Sequence, residues 1–277
     1  MSLKNKLEFV CQTDVGQVRD HNEDYVSYDG DLGIAVLADG MGGLNAGEVA
    51  SSMSVHLLME DLTSYCSGNS TVEAELESDS LGVPLNCRVV RFLVEKTNSA
   101  VFHVSQTQIQ CRGMGTTIVA CLYHDNSLVV GHIGDSRVYR FRNNALEQIT
   151  KDHSYVQELI DKGLYTKEQA RASDKKNVVT RALGVGPKVE VEVHEYPTKQ
   201  GDIFLMCSDG LSDLVADKDI ETTFKESKGQ INEVAGHLIN LANASGGKDN
   251  ISVVLTKVLK PYPVVGGFIE KITNWFE

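Results

Sequence analysis

Four times in this 277-residue chain an apolar, strand-like run meets an aspartate. Asp39 follows GIAVLA, Asp135 follows LVVGHIG, Asp209 follows IFLMCS, and Asp249 stands just before NISVVL. A short apolar run bounded by turn residues reads as a strand covered on both faces. If the last of these strands runs antiparallel to its neighbours, all four carboxylates gather at one end of the sheets. Clustered carboxylates repel one another, and their burial is costly unless something cancels the charge. Divalent cations do so, and an all-oxygen ligand set favours Mg²⁺ or Mn²⁺. A single Asp-Gly pair reads as a turn; the recurrence is what favours metal.

The residues around Asp39 fit this reading. Gly40 has no Cβ, so the backbone can come close and offer its carbonyl as a further ligand. Gly42 and Gly43 then open a loose backbone towards a helix that starts near Ala46, with Glu48 in its first turn. The segment RDHNEDY adds Arg19, whose planar fork of donors suits a phosphate. It also adds Glu23, which can meet a metal directly or through water, and Asp24, which can orient a ligand or Arg19.

Strand-like runs cluster early and late, at 7–13, 33–38, 116–123, 127–133, 137–142, 203–208 and 251–258. Helical spacing marks 46–62, 89–104 and 231–244. Without regular strand–helix alternation, the pattern predicts α+β layers rather than a doubly wound parallel sheet. Residues 66–87 are acidic, without Lys or Arg, and read as a mobile surface loop. Residues 151–184 form a polar excursion with helical pieces at 155–162 and 166–172, split at Gly163. DGDLG at 29–33 lacks the later ligands of a calcium loop and reads as a hairpin turn.

The net charge is -12, and no Lys/Arg cluster stands out, which argues against nucleic acid or an anionic membrane as partner. No apolar run reaches the length of a membrane span, and no signal-peptide pattern opens the chain. Six cysteines lack CxxC pairs, so free thiols and a cytoplasmic setting are expected, Cys66 and Cys87 included.

Six segments then line up in order: RDHNED (19–24), ADGMGG (38–43), GMGTT (113–117), HIGDSRVY (132–139), CSDGLSD (207–213) and GGKDNISVV (246–254). Together they resemble the metal-dependent serine/threonine protein phosphatases of type 2C in their bacterial form. The resemblance implies a four-layer αββα sandwich, two packed antiparallel sheets flanked by helix pairs, as a catalytic domain over residues 1–258. It implies two Mn²⁺ or Mg²⁺ ions and a weaker third. Asp39 would bridge the pair, the Gly40 carbonyl would hold one ion with Glu23 near it, and Asp209 and Asp249 would hold the other. Asp135 would join Asp209 at the third. Arg19 would clamp the phosphate, with Asp24, Asp213 and Asn250 supporting the ligands, and 151–184 would be a flap beside the site.

The implied reaction is hydrolysis of phosphoserine and phosphothreonine in proteins by a bridging metal-bound hydroxide, opposing a serine/threonine kinase. Where eukaryotic members carry a histidine acid, this chain has Met41. A metal-bound water is the first alternative acid, followed by His21 and His153. An inactive phosphoprotein-binding module of the same fold is the competing reading. Beyond the resemblance, 259–277 is a proline-marked connector and an amphipathic segment. Phe268, Ile269, Ile272, Trp275 and Phe276 share one helical face, suited to the domain's own surface, or to docking a partner or a membrane through 268–276.

Overall fold

The structure, a computed structural model, describes residues 2–42, 46–76 and 82–263. The predicted tail helix and residues 43–45 lie outside this range. Among the described residues, one sheet contains β1 (Leu7–Asp14), β7 (Arg137–Arg142), β8 (Ala145–Gln148), β10 (Ile203–Cys207) and β11 (Ile251–Val258), in the order β1-β11-β10-β7-β8. The other contains β2 (Asp24–Asp29), β3 (Ile34–Met41), β5 (Ile118–His124), β6 (Ser127–Ile133) and β9 (Glu192–Pro197), in the order β2-β3-β5-β6-β9, with β4 (Gly115–Thr116) pairing β3. Every pairing between these strands is antiparallel, including β11 with both β1 and β10.

The longer helices are α1 (Ala46–Cys66), α3 (Leu85–Thr107), α7 (Asp217–Glu226) and α8 (Ile231–Ala244). The shorter ones are α2 (Val72–Glu75), α4 (Tyr155–Asp161), α5 (Lys167–Arg171) and α6 (Asp209–Ser212). Helices α1 and α3 cover one sheet, and α7 and α8 the other, giving the four-layer αββα sandwich.

Side-chain alternation explains why the central strands read as unbroken apolar runs. On β3, Ala35 and Leu37 face the second sheet, where they meet Phe204, Met206 and Val254. Ile34, Val36 and Ala38 face α1 and α3. A strand covered on both sides has no polar face to display. On α8, buried residues at 231, 234, 235, 238, 239 and 242 make one stripe against its sheet. On α1 the buried face is made of small residues, among them Gly47, Ala50, Ser51 and Ser54, so this helix can approach β3 closely.

Several expectations need revision. The backbone after Asp39 is not loose: β3 continues through Met41, because Gly40 and Met41 pair with Thr116 and Gly115 of β4. The stretch 66–87 is not loop throughout, since it carries α2, whose Val72 is buried, and the start of α3. Strands β2, β8 and β9 and helix α7 went unpredicted. The DGDLG turn is present between β2 and β3, where Asp29 accepts from the backbone of Asp31 and Leu32. All six cysteines are free thiols, and no helix among the described residues is long and apolar enough to cross a membrane.

Candidate metal centre

The ends of the two sheets meet where β3, β6, β10 and β11 place their aspartates. Asp24 and Asp39 sit opposite each other on the β2–β3 ladder. Asp135 lies on the crossover from β6 in one sheet to β7 in the other. Asp209 opens α6 directly after β10, and Asp249 precedes β11.

Their electrostatics reflect the crowding. Asp39 is pushed well above the usual carboxylate range by burial, then by repulsion from Asp24, Asp209, Asp135 and Asp249. Asp209 is raised in the same way by burial and by Asp135, Asp213, Asp249 and Asp24. Burial, with Asp152 and Asp213 nearby, pushes Asp135 up to about 7. Asp24, buried, rises to about 6 even though it accepts a hydrogen bond from Ser208 Oγ at 2.8 Å. Glu23 is raised by burial, and Arg19 opposes the rise. Such a group of carboxylates wants positive charge. Asp24 Oδ1 is moreover buried with no hydrogen-bond partner. The donors at this end of the sheets are all oxygen, which fits Mn²⁺ or Mg²⁺.

The backbone around these ligands is tightly held. Asp39 N–H donates to Thr117 Oγ1 at 3.0 Å, and its carbonyl accepts from Thr117 N at 2.9 Å and Thr116 Oγ1 at 2.8 Å. Thr117 Oγ1 in turn lies 2.7 Å from Ser136 Oγ, next to Asp135. Ser208 Oγ accepts from Ser252 N at 2.9 Å, which links the β10 and β11 ends to Asp24. These hydroxyls escaped the sequence reading. Their only local signal is a small hydroxyl residue beside an aspartate or inside GTT, and their partners lie up to 184 positions away.

Asn250 is a hub. It accepts from Glu23 N at 2.8 Å and donates to the carbonyls of Val15 and His21 at 3.0 and 2.9 Å, fixing the whole RDHNED segment against β11. Arg19, half-exposed, donates to Asp249 Oδ2 at 2.7 Å and so stands at the mouth of the cluster. Gly40 is required for packing. A Cβ there would lie 2.2 Å from the Gly47 carbonyl oxygen and 2.6 Å from that of Glu23, so α1 and the Glu23 segment close directly on the strand.

Asp213 lies near enough to Asp209 and Asp135 to raise both, and it accepts from Lys176 at 2.6 Å, which also ties it to residues 151–184. The flap carries α4, capped by Ser154, and α5, opened by a Thr166–Gln169 capping box, as the Gly163 split predicts. A cavity of about 110 Å³ runs from Asp135 and Asp209 between the flap and α7, past Lys167, Arg171 and Lys176. Of the two histidines weighed as acids, His21 is exposed. His153 is buried away from solvent, with Nδ1 accepting from Gly134 N and Nε2 against Glu192.

Known proteins resemble this chain in sequence and fold. The family model for protein phosphatase 2C matches residues 13–248. The serine/threonine phosphatase stp of Listeria welshimeri is 38% identical over 250 residues, which cover 89% of this chain and 94% of that protein. The crystal structure of the Mycobacterium tuberculosis serine/threonine phosphatase PstP/Ppp superposes with a TM-score of 0.77 at 38% identity, over 91% of this chain and 99% of that one. The catalytic domain of PstP solved with two manganese ions gives a TM-score of 0.75 at 38% identity, over 92% of this chain and 99% of that one. Sequence and fold agree over nearly the whole sandwich, and the chain belongs to the protein phosphatase 2C family.

Proposed function

We propose that this chain hydrolyses phosphoserine and phosphothreonine in proteins, using two Mn²⁺ or Mg²⁺ ions, and so reverses the work of a serine/threonine kinase in the cytoplasm. The observation that carries the proposal is the gathering of Asp24, Asp39, Asp135, Asp209 and Asp249 from both sheets, where burial first and repulsion from neighbouring carboxylates second hold Asp39 and Asp209 well above the usual carboxylate range. Asp39 would be shared by the two ions, with the Gly40 carbonyl and Glu23 on one side and Asp209 and Asp249 on the other. Asp135 and Asp209 would hold a third, weaker ion. Bound there, a metal pair supplies a water acidified enough to attack phosphorus near neutral pH, together with positive charge for the phosphoryl oxygens.

The protein's own side chains do the rest. Arg19 orients the phosphate and takes up charge on its equatorial oxygens. Its bond to Asp249 holds the guanidinium in place before substrate arrives. Asp24, Thr117 and Asn250 keep the ligands from moving as charge shifts. Met41 has no proton to give the leaving alkoxide. His153, with burial holding its pKa down and both ring nitrogens engaged, is no better placed. Solvent water is therefore the proton source. The presence of every carboxylate expected of an active member favours catalysis over the inactive-module reading.

The test is hydrolysis of a phosphothreonine peptide with Mn²⁺ or Mg²⁺ against chelator, for wild type and Asp209→Asn. Metal-dependent turnover that collapses in the variant is expected. Turnover indifferent to chelator and to Asp209 refutes the proposal, and peptide binding without turnover under any divalent ion selects the inactive module.

A further inference from the structure

Next to the crossover that carries Asp135 lies a second polar cluster, with two buried histidines and a partly exposed glutamate, apart from the aspartates at the sheet ends. Ligand atoms of His132, His153 and Glu192 fall within 4.8 Å of one another, which invites a metal. The geometry argues otherwise. The two imidazoles stack, 4.8 Å between centroids and 11° between planes, so their lone pairs lie in separate, near-parallel planes and do not meet on one ion. Three of the four ring nitrogens already have partners: His132 Nε2 with the Lys151 carbonyl at 2.9 Å, His153 Nδ1 with Gly134 N at 3.1 Å, and His153 Nε2 with Glu192 at 3.2 Å.

What the cluster does is grip Gly134. His153 N donates to the Gly134 carbonyl at 2.8 Å while its Nδ1 accepts from Gly134 N, so residue 153 holds residue 134 at two points. Gly134 has φ +103°, and a Cβ there would stand 2.6 Å from Thr117 Cγ2. The loop before Asp135 is thus wedged between Thr117, which fixes Asp39, and His153. Residue 153 is also where the flap departs and returns. Its carbonyl accepts from Thr180 N at 2.8 Å, Ser154 bridges Val179, and Tyr155 N donates to Val178 at 2.8 Å. One buried residue therefore touches the Asp135 loop and both strands of the flap root.

We propose that His153 is a positioning residue for Asp135: by clasping Gly134 it sets where the Asp135 carboxylate stands and references it to the root of the flap. The inference rests on the reading of Asp135 as a ligand of the third ion. Loss of a partner behind a metal ligand typically weakens metal binding on the order of 10- to 100-fold.

Two substitutions separate the contacts. In His153→Asn the side-chain oxygen falls where Nδ1 was and can still accept from Gly134 N. In His153→Gln the amide reaches towards Glu192, but the Gly134 acceptor is lost. Mn²⁺ binding is read directly from the six-line electron paramagnetic resonance signal of the free ion, for these variants, wild type and Asp135→Asn, alongside melting temperature. The expected result is a weakest Mn²⁺ site unchanged in His153→Asn, weakened tenfold or more in folded His153→Gln, and absent in Asp135→Asn, with the tighter ions retained throughout. Adding His153→Gln to Asp135→Asn should change nothing further.

If Asp135→Asn binds as many ions as wild type, the reading of Asp135 fails, and the proposal with it. If Asp135→Asn loses an ion but His153→Gln binds as wild type, only the positioning role is overturned. Equal losses in folded Asn and Gln variants also overturn it. Should the Gln variant not fold, His153→Leu, which likewise offers no acceptor to Gly134 N, takes its place: a weakened site in that folded protein is expected, and binding as wild type overturns the clasp.

Discussion

Replacing Asp135 by asparagine in metal-free protein should make the fold more stable, by an amount that grows from pH 4 upwards and is complete above about pH 7. The Asp135 carboxyl is 8% exposed and rises from 3.8 to about 7, chiefly through burial and then through Asp152 and Asp213. In the unfolded chain it would ionise near 4. Between these values the folded chain keeps a proton that the unfolded chain has released, so stability falls as pH rises and the loss is complete above about 7. At about 1.4 kcal/mol per tenfold change in proton affinity, the difference approaches roughly 4 kcal/mol. Asparagine keeps the shape and removes the charge. With a melting shift of about 2–4 °C per kcal/mol for a chain of this size, the variant should melt roughly 8–16 °C higher at pH 8. The two proteins should coincide near pH 4. The assay is thermal unfolding of chelated protein from pH 4 to 8, repeated with saturating Mn²⁺, where the wild type should recover its deficit. Coincident melting at pH 8 without metal, or a gap that opens only in acid, would refute the reasoning.

Three other substitutions test separate parts of the site. Arg19→Ala should lower kcat/KM on a phosphopeptide about 100-fold or more. Its exposed pairing with Asp249 should contribute at most about 1 kcal/mol to stability, and Arg19→Lys should not restore the bidentate clamp. Gly40→Ala puts a Cβ 2.2 Å from the Gly47 carbonyl oxygen, so denaturant melts should show a loss of at least about 3 kcal/mol, with activity falling in parallel. Thr117→Val leaves Asp39 N–H and Ser136 Oγ without their partner. It should cost about 1–3 kcal/mol in the same melts, while Thr117→Ser should behave as wild type.

The carboxylates were legible because of the four-layer packing. A strand buried on both faces must be apolar throughout, so Asp39, Asp135, Asp209 and Asp249 stand out against runs such as GIAVLA and IFLMCS. The flap helices were legible through local chemistry, with Ser154 and Thr166 as caps and Gly163 as the break. Edge strands were not. EVHEYP in β9 and ALEQ in β8 have one pairing neighbour each and keep polar side chains in water, so they lack an apolar signature. Nor was the scaffolding behind the ligands. Thr117 serves Asp39 from 78 positions away, and Asn250 serves Glu23 from 227, and no periodicity reports such a pair. The missing Cβ of Gly40 also leaves room for the backbone of α1, a tertiary requirement that nothing in the local sequence reports.

The carboxylates are drawn from both sheets and from the crossover between them, over a span of sequence from Asp24 to Asp249. No piece of this chain shorter than about Glu23 to Asp249 carries the whole centre. A copy truncated before the last sheet strand lacks Asp249 and is therefore expected to be silent rather than weakly or indiscriminately active. For an enzyme that erases phosphate marks, this makes completion of the whole sandwich the condition for switching on.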